Sequence, residues 1–162
     1  MQRSRLFTSA LAALMALSCG RQPAQISGAP VAQQKPIIQL RLAQETPGPG
    51  FVRMEFLGRK GGVYVAERSI VSDDGIEQVH VQPAADGLLL DVHFSPEGAA
   101  RLVEATKAGV GLQLAVLAKS RLVAAAPIVE PLTIGRRVNI GVYAPAESAQ
   151  AIAASIAARW PR

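Results

Sequence analysis

The chain has 162 residues, enough for one domain of ordinary size. Its composition, 49% hydrophobic and 18% charged, supports a packed core and excludes wholesale disorder. Aromatic residues make up 4% of the chain, too few for the stacking surfaces of proteins that bind single-stranded nucleic acid. The single cysteine excludes an internal disulfide and any cluster of cysteine metal ligands.

The net charge of +5 belongs to the two ends of the chain. Six basic residues lie before residue 37 or after residue 158: Arg3, Arg5, Arg21, Lys35, Arg159 and Arg162. Residues 37–158 carry eleven basic and twelve acidic side chains, a net charge of −1. Because DNA- and RNA-binding domains carry their basic excess on the folded body, we expect no nucleic-acid partner.

The first residues are typical of a secretory signal. Two arginines within residues 1–5 precede an apolar stretch, residues 6–17, that is shorter than the roughly 20 residues a membrane span needs. Residues 16–19, Ala-Leu-Ser-Cys, resemble the lipobox of bacterial lipoproteins, which implies that Cys19 is lipidated and begins the mature chain. The alternative is an ordinary signal peptide with Cys19 as an incidental thiol.

Three segments follow from this interpretation. Residues 1–18 are a lipoprotein signal peptide, and residues 19–36 are the lipidated Cys19 and a flexible tether rich in Gln and Pro. Residues 37–162 form a globular domain. We therefore expect a lipid-anchored protein on the extracytoplasmic side of the bacterial cell envelope.

Strands dominate the first part of the globular domain. Apolar and polar residues alternate over 37–43, which predicts a half-buried strand with Gln39 and Arg41 on its polar side. The alternation is less regular over 51–57, and a glycine-rich turn over 58–62 leads into a short strand at 63–65. Residues 76–82 and 88–94 flank a turn and predict a β-hairpin. The register that groups its apolar residues gives four pairs: Val79 with Val92, Val81 with Leu90, His80 with Asp91, and Gln78 with His93.

Two helices and three more strands complete the pattern. Ser95 as N-cap, followed by Pro96, starts the first helix, and we expect Glu97 to pair with Arg101 on its outer side. Strands are predicted over 112–118, 122–126 and 137–143, and Pro145 opens the second helix. The apolar seam of this second helix is Ala149, Ile152, Ala153, Ile156 and Trp160. The predicted fold is α+β, a mainly antiparallel sheet with both amphipathic helices packed on one face.

Few side chains could carry chemistry. We find no nucleophile or metalloprotease motif, so we expect no enzyme, no catalytic residue and no cofactor. The hairpin register brings His80, Asp91 and His93 to one face, where they could bind a divalent metal. The alternative, which we favour, is a solvated polar face without a metal.

The stretch between the last two strands carries more apolar residues than a loop without a partner needs. Its members that could contact a polypeptide are Pro127, Ile128, Val129, Leu132 and Ile134. The alternative is that these residues fill the end of the sheet as core.

Several segments, in order, resemble the head subdomain of the first periplasmic domain of SecD, part of the SecDF complex of bacterial protein export. They are Phe94-Ser95-Pro96-Glu97-Gly98-Ala99, Thr106, Gly111 through Leu117, Leu122-Val123, Ala126-Pro127-Ile128, Ile140-Gly141-Val142-Tyr143 and Glu147. Upstream, Val63-Tyr64-Val65 and Ser72-Asp73-Asp74-Gly75-Ile76 also look like the family's entry to the head, so the resemblance covers roughly residues 63–158. It implies a fold and a binding surface, but neither proton-coupled transport nor a catalytic residue.

The sequence therefore favours a lipid-anchored envelope protein whose domain binds polypeptide, either a protein in export or an envelope partner such as the Sec translocon. The alternative is a periplasmic lipoprotein with a structural or small-ligand role that reuses the fold without a part in export.

Overall fold

The computed structural model describes residues 35–133 and 136–161. The described elements, in chain order, are β1 (Ile38–Gln44), β2 (Phe51–Glu55), β3 (Gly62–Ser72), β4 (Ile76–Ala84), β5 (Gly87–Phe94), α1 (Pro96–Ala108), β6 (Gln113–Ala118), β7 (Arg121–Pro127), β8 (Arg137–Tyr143) and α2 (Ala146–Arg159). All pairings between these strands are antiparallel, which confirms the predicted α+β class.

The strands form two sheets, whereas the sequence pattern suggested one. The larger sheet has the order β2-β3-β1-β6-β7, and the smaller has the order β4-β5-β8. The chain leaves the larger sheet at the 3₁₀ turn Asp73–Gly75, where the Asp73 carboxylate accepts hydrogen bonds from the Ile37 and Ile38 amides. Alternation identifies a strand but not its partners, so the division into sheets was not predictable from it.

The larger sheet curls until its two edges meet. Phe56, just after β2, forms a parallel bridge with Leu122 of β7, and the Leu57 amide donates to the Leu122 carbonyl at 2.8 Å. The curled sheet encloses a small second core whose buried members are Ala43, Val63, Val65, Ala115, Leu117 and Leu122.

This curling corrects the sequence-based interpretation of β1 as a half-buried strand. Gln39, which the alternation placed on a polar face, is buried because the curled sheet covers that face as well. The Arg41 guanidinium donates to the Gln39 side-chain oxygen and to the Ala66 carbonyl. The buried side-chain oxygen of Gln39 thereby has a hydrogen-bond partner within the domain.

The main core lies between the sheets and the helices. Both sheets contribute a face to it, α1 contributes Ala99 and Leu102, and α2 contributes Ala149, Ile152 and Ile156. The Ser95 hydroxyl accepts from the Gly98 amide at 3.0 Å, as predicted for the N-cap of α1. Neither described helix has the length and hydropathy to cross a membrane.

One predicted contact of α1 is wrong. Arg101 does not pair with Glu97; its guanidinium donates to the Asp74 carboxylate, with both N–O distances at 3.2 Å. The turn that carries Asp74 packs directly against the start of α1, which brings this acid closer to Arg101 than a residue one helical turn away.

Candidate functional site

A groove of about 1100 Å³ lies between α2 and the turn end of the β4–β5 hairpin. We call it the α2 groove. Its walls are mostly apolar, and the side chains that form them include Val79, Val81, Leu88, Ala149, Ala153, Ile156 and Trp160. The alanines along α2 leave space that larger side chains would fill, so part of the inner face of the smaller sheet stays uncovered.

The turn between β2 and β3 closes one end of the α2 groove. Gly58 lies in this turn with a positive φ of 79°, and a Cβ atom there would lie 2.5 Å from the Pro145 side chain. Only glycine therefore allows the turn to pack so closely against the start of α2. This packing carries Arg59 to the groove wall.

Arg59 is held by aromatic rings. Its guanidinium carbon lies 3.7 Å from the centre of the Phe56 ring and 5.9 Å from the centre of the Tyr143 ring. Within the described residues, Arg59 forms no ion pair. The ring contacts hold the guanidinium at the groove wall, and its N–H groups have no carboxylate partner within the described residues.

A strand edge borders the α2 groove. β4 is an edge strand of the smaller sheet and, among the described strands, pairs with β5 alone. Val79, Val81, Pro83 and Ala84 of this strand line the groove. Main-chain groups on the outer side of β4 thus lack a strand partner, which is the feature that extended peptides use when they add to a sheet.

The other face of the smaller sheet carries the predicted polar cluster. All four residue pairs of the predicted hairpin register are present, including His80 opposite Asp91 and Gln78 opposite His93. The rings of His80 and His93 meet edge to face, with centres 5.6 Å apart.

Asp91 is the centre of this cluster, and its side chain is 4% exposed. Arg137 of β8 donates to both carboxylate oxygens, at 2.7 and 2.5 Å, and the His93 ring nitrogen lies 3.4 Å from one of them. The hydrogen bonds from Arg137 hold the pKa of the Asp91 carboxyl below its usual value, although burial acts in the opposite direction.

This pairing leaves little capacity for a metal. In residues 35–133 and 136–161, no three His, Cys, Asp or Glu side chains are arranged to hold a metal ion. Both Asp91 oxygens already accept hydrogen bonds from Arg137, so a metal would have to displace that guanidinium. The arrangement is that of a self-paired polar surface.

The structure separates the residues of the predicted contact loop. Ile128 is buried, and its amide and carbonyl both bond to the segment after α1. Leu132 is half-buried and its amide donates to the Thr106 hydroxyl at 3.2 Å. Pro127 is exposed at the end of β7, and Val129 is 79% exposed. Ile134, like Cys19 at the predicted anchor, lies outside the described residues.

The α2 groove was not predicted from the sequence. Its walls come from three separate segments, residues 58–59, 79–88 and 143–160. The helix seam and the apolar face of the hairpin were identified in advance, but not that they border a common groove. A signal that could have indicated it is the run of alanines in α2, whose small side chains leave space beside the sheet.

A family model for the SecDF P1 head subdomain matches residues 52–158 of the chain. The chain belongs to this family. The match confirms the resemblance seen in the sequence and extends it upstream into β2, while β1 lies outside the matched range. No curated protein matches the chain.

Two solved structures share the fold. One, a crystal structure of SecDF in a super-membrane-facing form, aligns with a TM-score of 0.51 at 16% identity and covers 73% of this chain. The other, described as SecDF, a membrane component that enhances protein export, aligns with a TM-score of 0.52 at 16% identity and covers 74% of this chain. The chain spans 18% of the first SecDF chain and 61% of the second. At this identity the likeness shows the fold alone.

Proposed function

We propose that the protein is a lipid-anchored, extracytoplasmic, non-enzymatic envelope protein whose SecDF P1 head domain binds an extended apolar segment of a polypeptide in the α2 groove. The observation that carries this proposal is an apolar groove bordered by the unpaired edge of β4. An extended chain can use both features at once, because its side chains enter the groove while its main chain bonds to the strand edge.

Family membership supports the same class of ligand. One SecDF structure with this fold is described as a component that enhances protein export, a process whose substrate is a polypeptide. The polypeptide bound by this chain is then a protein in export or an envelope partner, with the Sec translocon as one such partner.

A small apolar ligand is the alternative occupant. The groove volume of about 1100 Å³ is just above the range of roughly 300–1,000 Å³ for small-molecule pockets, so volume alone does not separate the two. The strand edge favours the polypeptide, because a small apolar ligand has no polar groups that could form hydrogen bonds with the main chain of β4.

The test uses two neighbouring alanines of α2. Both Ala157 and Ala158 are exposed, but Ala157 lines the groove and Ala158 does not. The probe is a nine-residue peptide, Asn-Ser-Val-Leu-Gln-Val-Leu-Ser-Asn, labelled with an uncharged dye and titrated into the full chain. We expect Ala157→Trp to weaken binding about tenfold, because its indole would occupy groove volume that the peptide side chains otherwise fill. Ala158→Trp should leave binding unchanged, because Ala158 does not line the groove.

Both variants should keep the wild-type melting temperature, since neither alanine is buried. Equal binding by Ala157→Trp and wild type would contradict the groove as the binding site. Absence of any peptide binding, with saturable binding of a small apolar dye that Ala157→Trp abolishes, would establish the alternative.

Val129 of the contact loop is proposed as a second, weaker contact, because an exposed valine loses water when a ligand covers it. Val129→Glu should leave the melting temperature unchanged and reduce crosslinking to an unfolded secretory precursor. The matched Ile128→Glu should unfold the domain, because Ile128 is buried. Unreduced crosslinking by Val129→Glu would remove the loop from the binding surface.

The anchor is tested at Cys19. Cys19→Ala should convert a protein that enters the detergent phase into a water-soluble or unprocessed one. A wild-type protein that partitions into buffer, with no acyl mass on its N-terminus, would contradict the lipoprotein interpretation.

A further inference from the structure

Arg59 is the cation of the α2 groove, and its situation differs from that of most arginines of the domain. Arg53, Arg101, Arg136, Arg137 and Arg159 each pair with a carboxylate within the described residues. Arg59 instead stacks on Phe56 with its guanidinium carbon 3.7 Å from the ring centre. Its charge is therefore positioned at the groove wall without being neutralised by this part of the chain.

The stacking prepares the guanidinium for a carboxylate. An arginine on an open surface loses side-chain entropy when it pairs, which limits the strength of most surface ion pairs. The contact with the Phe56 ring restricts part of that freedom, so less remains to be lost on binding. The in-plane N–H groups match the two oxygens of a carboxylate.

Asp86, in the turn of the β4–β5 hairpin, is the acidic residue that lines the α2 groove. It forms no ion pair within the described residues, so Arg59 and Asp86 do not neutralise each other. The groove thus offers one cation that lies against a ring, and the Asp86 carboxylate disfavours the binding of additional acids.

We propose, on the basis of the function proposed above, that the α2 groove selects polypeptide segments in which a single acidic residue interrupts an apolar run, and that Arg59 receives its carboxylate. The apolar walls bind the flanking side chains, and Arg59 distinguishes these segments from uniformly apolar ones.

The experiment compares three peptides that differ at one position. They are Asn-Ser-Val-Leu-X-Val-Leu-Ser-Asn with X as Glu, Gln or Lys, each with amidated and acetylated ends and an uncharged dye, titrated into the full chain. We expect the Glu peptide to bind about fivefold more tightly than the Gln peptide, the upper range for a partly exposed ion pair. The Lys peptide should bind more weakly than the Gln peptide.

Substitution at Arg59 should remove this preference. Arg59→Gln should bind the Glu and Gln peptides equally, and Arg59→Glu should reverse the order so that the Lys peptide binds best. Lys60→Gln is the matched control, because Lys60 is the neighbouring cation and does not line the groove. It should keep the wild-type preference, and all three variants should keep the wild-type melting temperature.

Each contrary outcome has a distinct meaning. Equal binding of the Glu and Gln peptides by the wild type, or tighter binding of the Lys peptide, would overturn the role of Arg59 and leave the proposed function standing. A preference for the Glu peptide that persists in Arg59→Gln would also overturn the role of Arg59, and its loss in Lys60→Gln would point to Lys60 instead. Failure of all three peptides to bind the wild type would instead contradict the proposed function.

Discussion

The two faces of the smaller sheet differ in what they leave available to a ligand. On the outer face, Asp91 is nearly inaccessible and both of its oxygens accept hydrogen bonds from Arg137. On the inner face, Leu90 and Val92 are fully buried, but the apolar surface continues past the main core into the α2 groove. The carboxylate of the polar face therefore already has its hydrogen-bond partners, whereas the apolar face remains accessible at one end.

This difference shows that the chemical character of a residue does not by itself locate a binding site. Histidine and aspartate side chains on one face suggested chemistry, yet the Asp91 carboxylate is already paired with His93 and with the neighbouring Arg137. An apolar surface that no other element covers has no internal partner, and its burial by a ligand is favourable. Three predictions test this contrast between the two faces.

The largest effect is expected from neighbouring leucines of β5. Leu90 is fully buried on the inner face, and Leu89 is half-buried on the outer face. Leu90→Ala should lower the free energy of unfolding by about 3 kcal/mol, since it removes buried methyl groups and leaves a cavity. Leu89→Ala should lower it by less than about 1 kcal/mol.

Chemical denaturation of the full chain measures both leucine variants, and the identical substitution at adjacent positions of one strand makes each the control of the other. A loss for Leu89→Ala as large as that for Leu90→Ala would show that the outer face is packed as a second core.

An intermediate effect is expected from the carboxylate of the outer face. Hydrogen bonds from Arg137 lower the pKa of Asp91 in the folded protein, so its ionised form stabilises the fold above the unfolded-state pKa of about 3.9. Asp91→Asn should therefore be less stable than wild type near pH 7. The difference should shrink as the pH falls below that value and through the lower folded-state pKa.

Urea denaturation at a series of pH values measures this dependence. Glu55→Gln serves as the control, because Glu55 is paired with Arg53 on the surface and is 62% exposed. A wild-type advantage over Asp91→Asn that is the same at pH 7 and at pH 3 would show that the ionised carboxylate does not contribute to stability.

The hairpin is the part of the fold that the sequence predicted best. Valines and leucines on both strands leave one register that puts them on the same face, and the structure has that register at all four predicted pairs. The start of α1 was equally predictable, because Ser95 and Pro96 act on the residues next to them. In both cases the deciding interactions are local.

The remaining features depend on contacts that are distant in the sequence. The Asp91 carboxylate accepts hydrogen bonds from Arg137, which lies 46 positions further along the chain. No pattern in the sequence around Asp91 could indicate this pairing. Gln39 is buried because β1 lies between β3 and β6 in a sheet that curls until Phe56 reaches Leu122. The α2 groove likewise requires the position of α2 relative to Arg59 and β4. The family match shows this fold, but the groove and its cation are visible only in the assembled domain.

The smallest effect is expected from the two histidines of the outer face. If His80 and His93 only complete a polar surface, His80→Gln combined with His93→Gln should change the free energy of unfolding by less than about 0.5 kcal/mol, as ordinary surface substitutions do. Zinc in stoichiometric excess should leave the wild-type melting temperature unchanged, because a metal would have to displace Arg137 from Asp91 before it could bind. Arg137→Gln removes that obstacle and is the informative comparison, since zinc binding confined to this variant would identify the arginine as the group that excludes the metal. A saturable rise of several degrees in the wild type, lost in the double histidine variant, would instead show that the outer face is a metal site and that it is open to ligands as the inner face is.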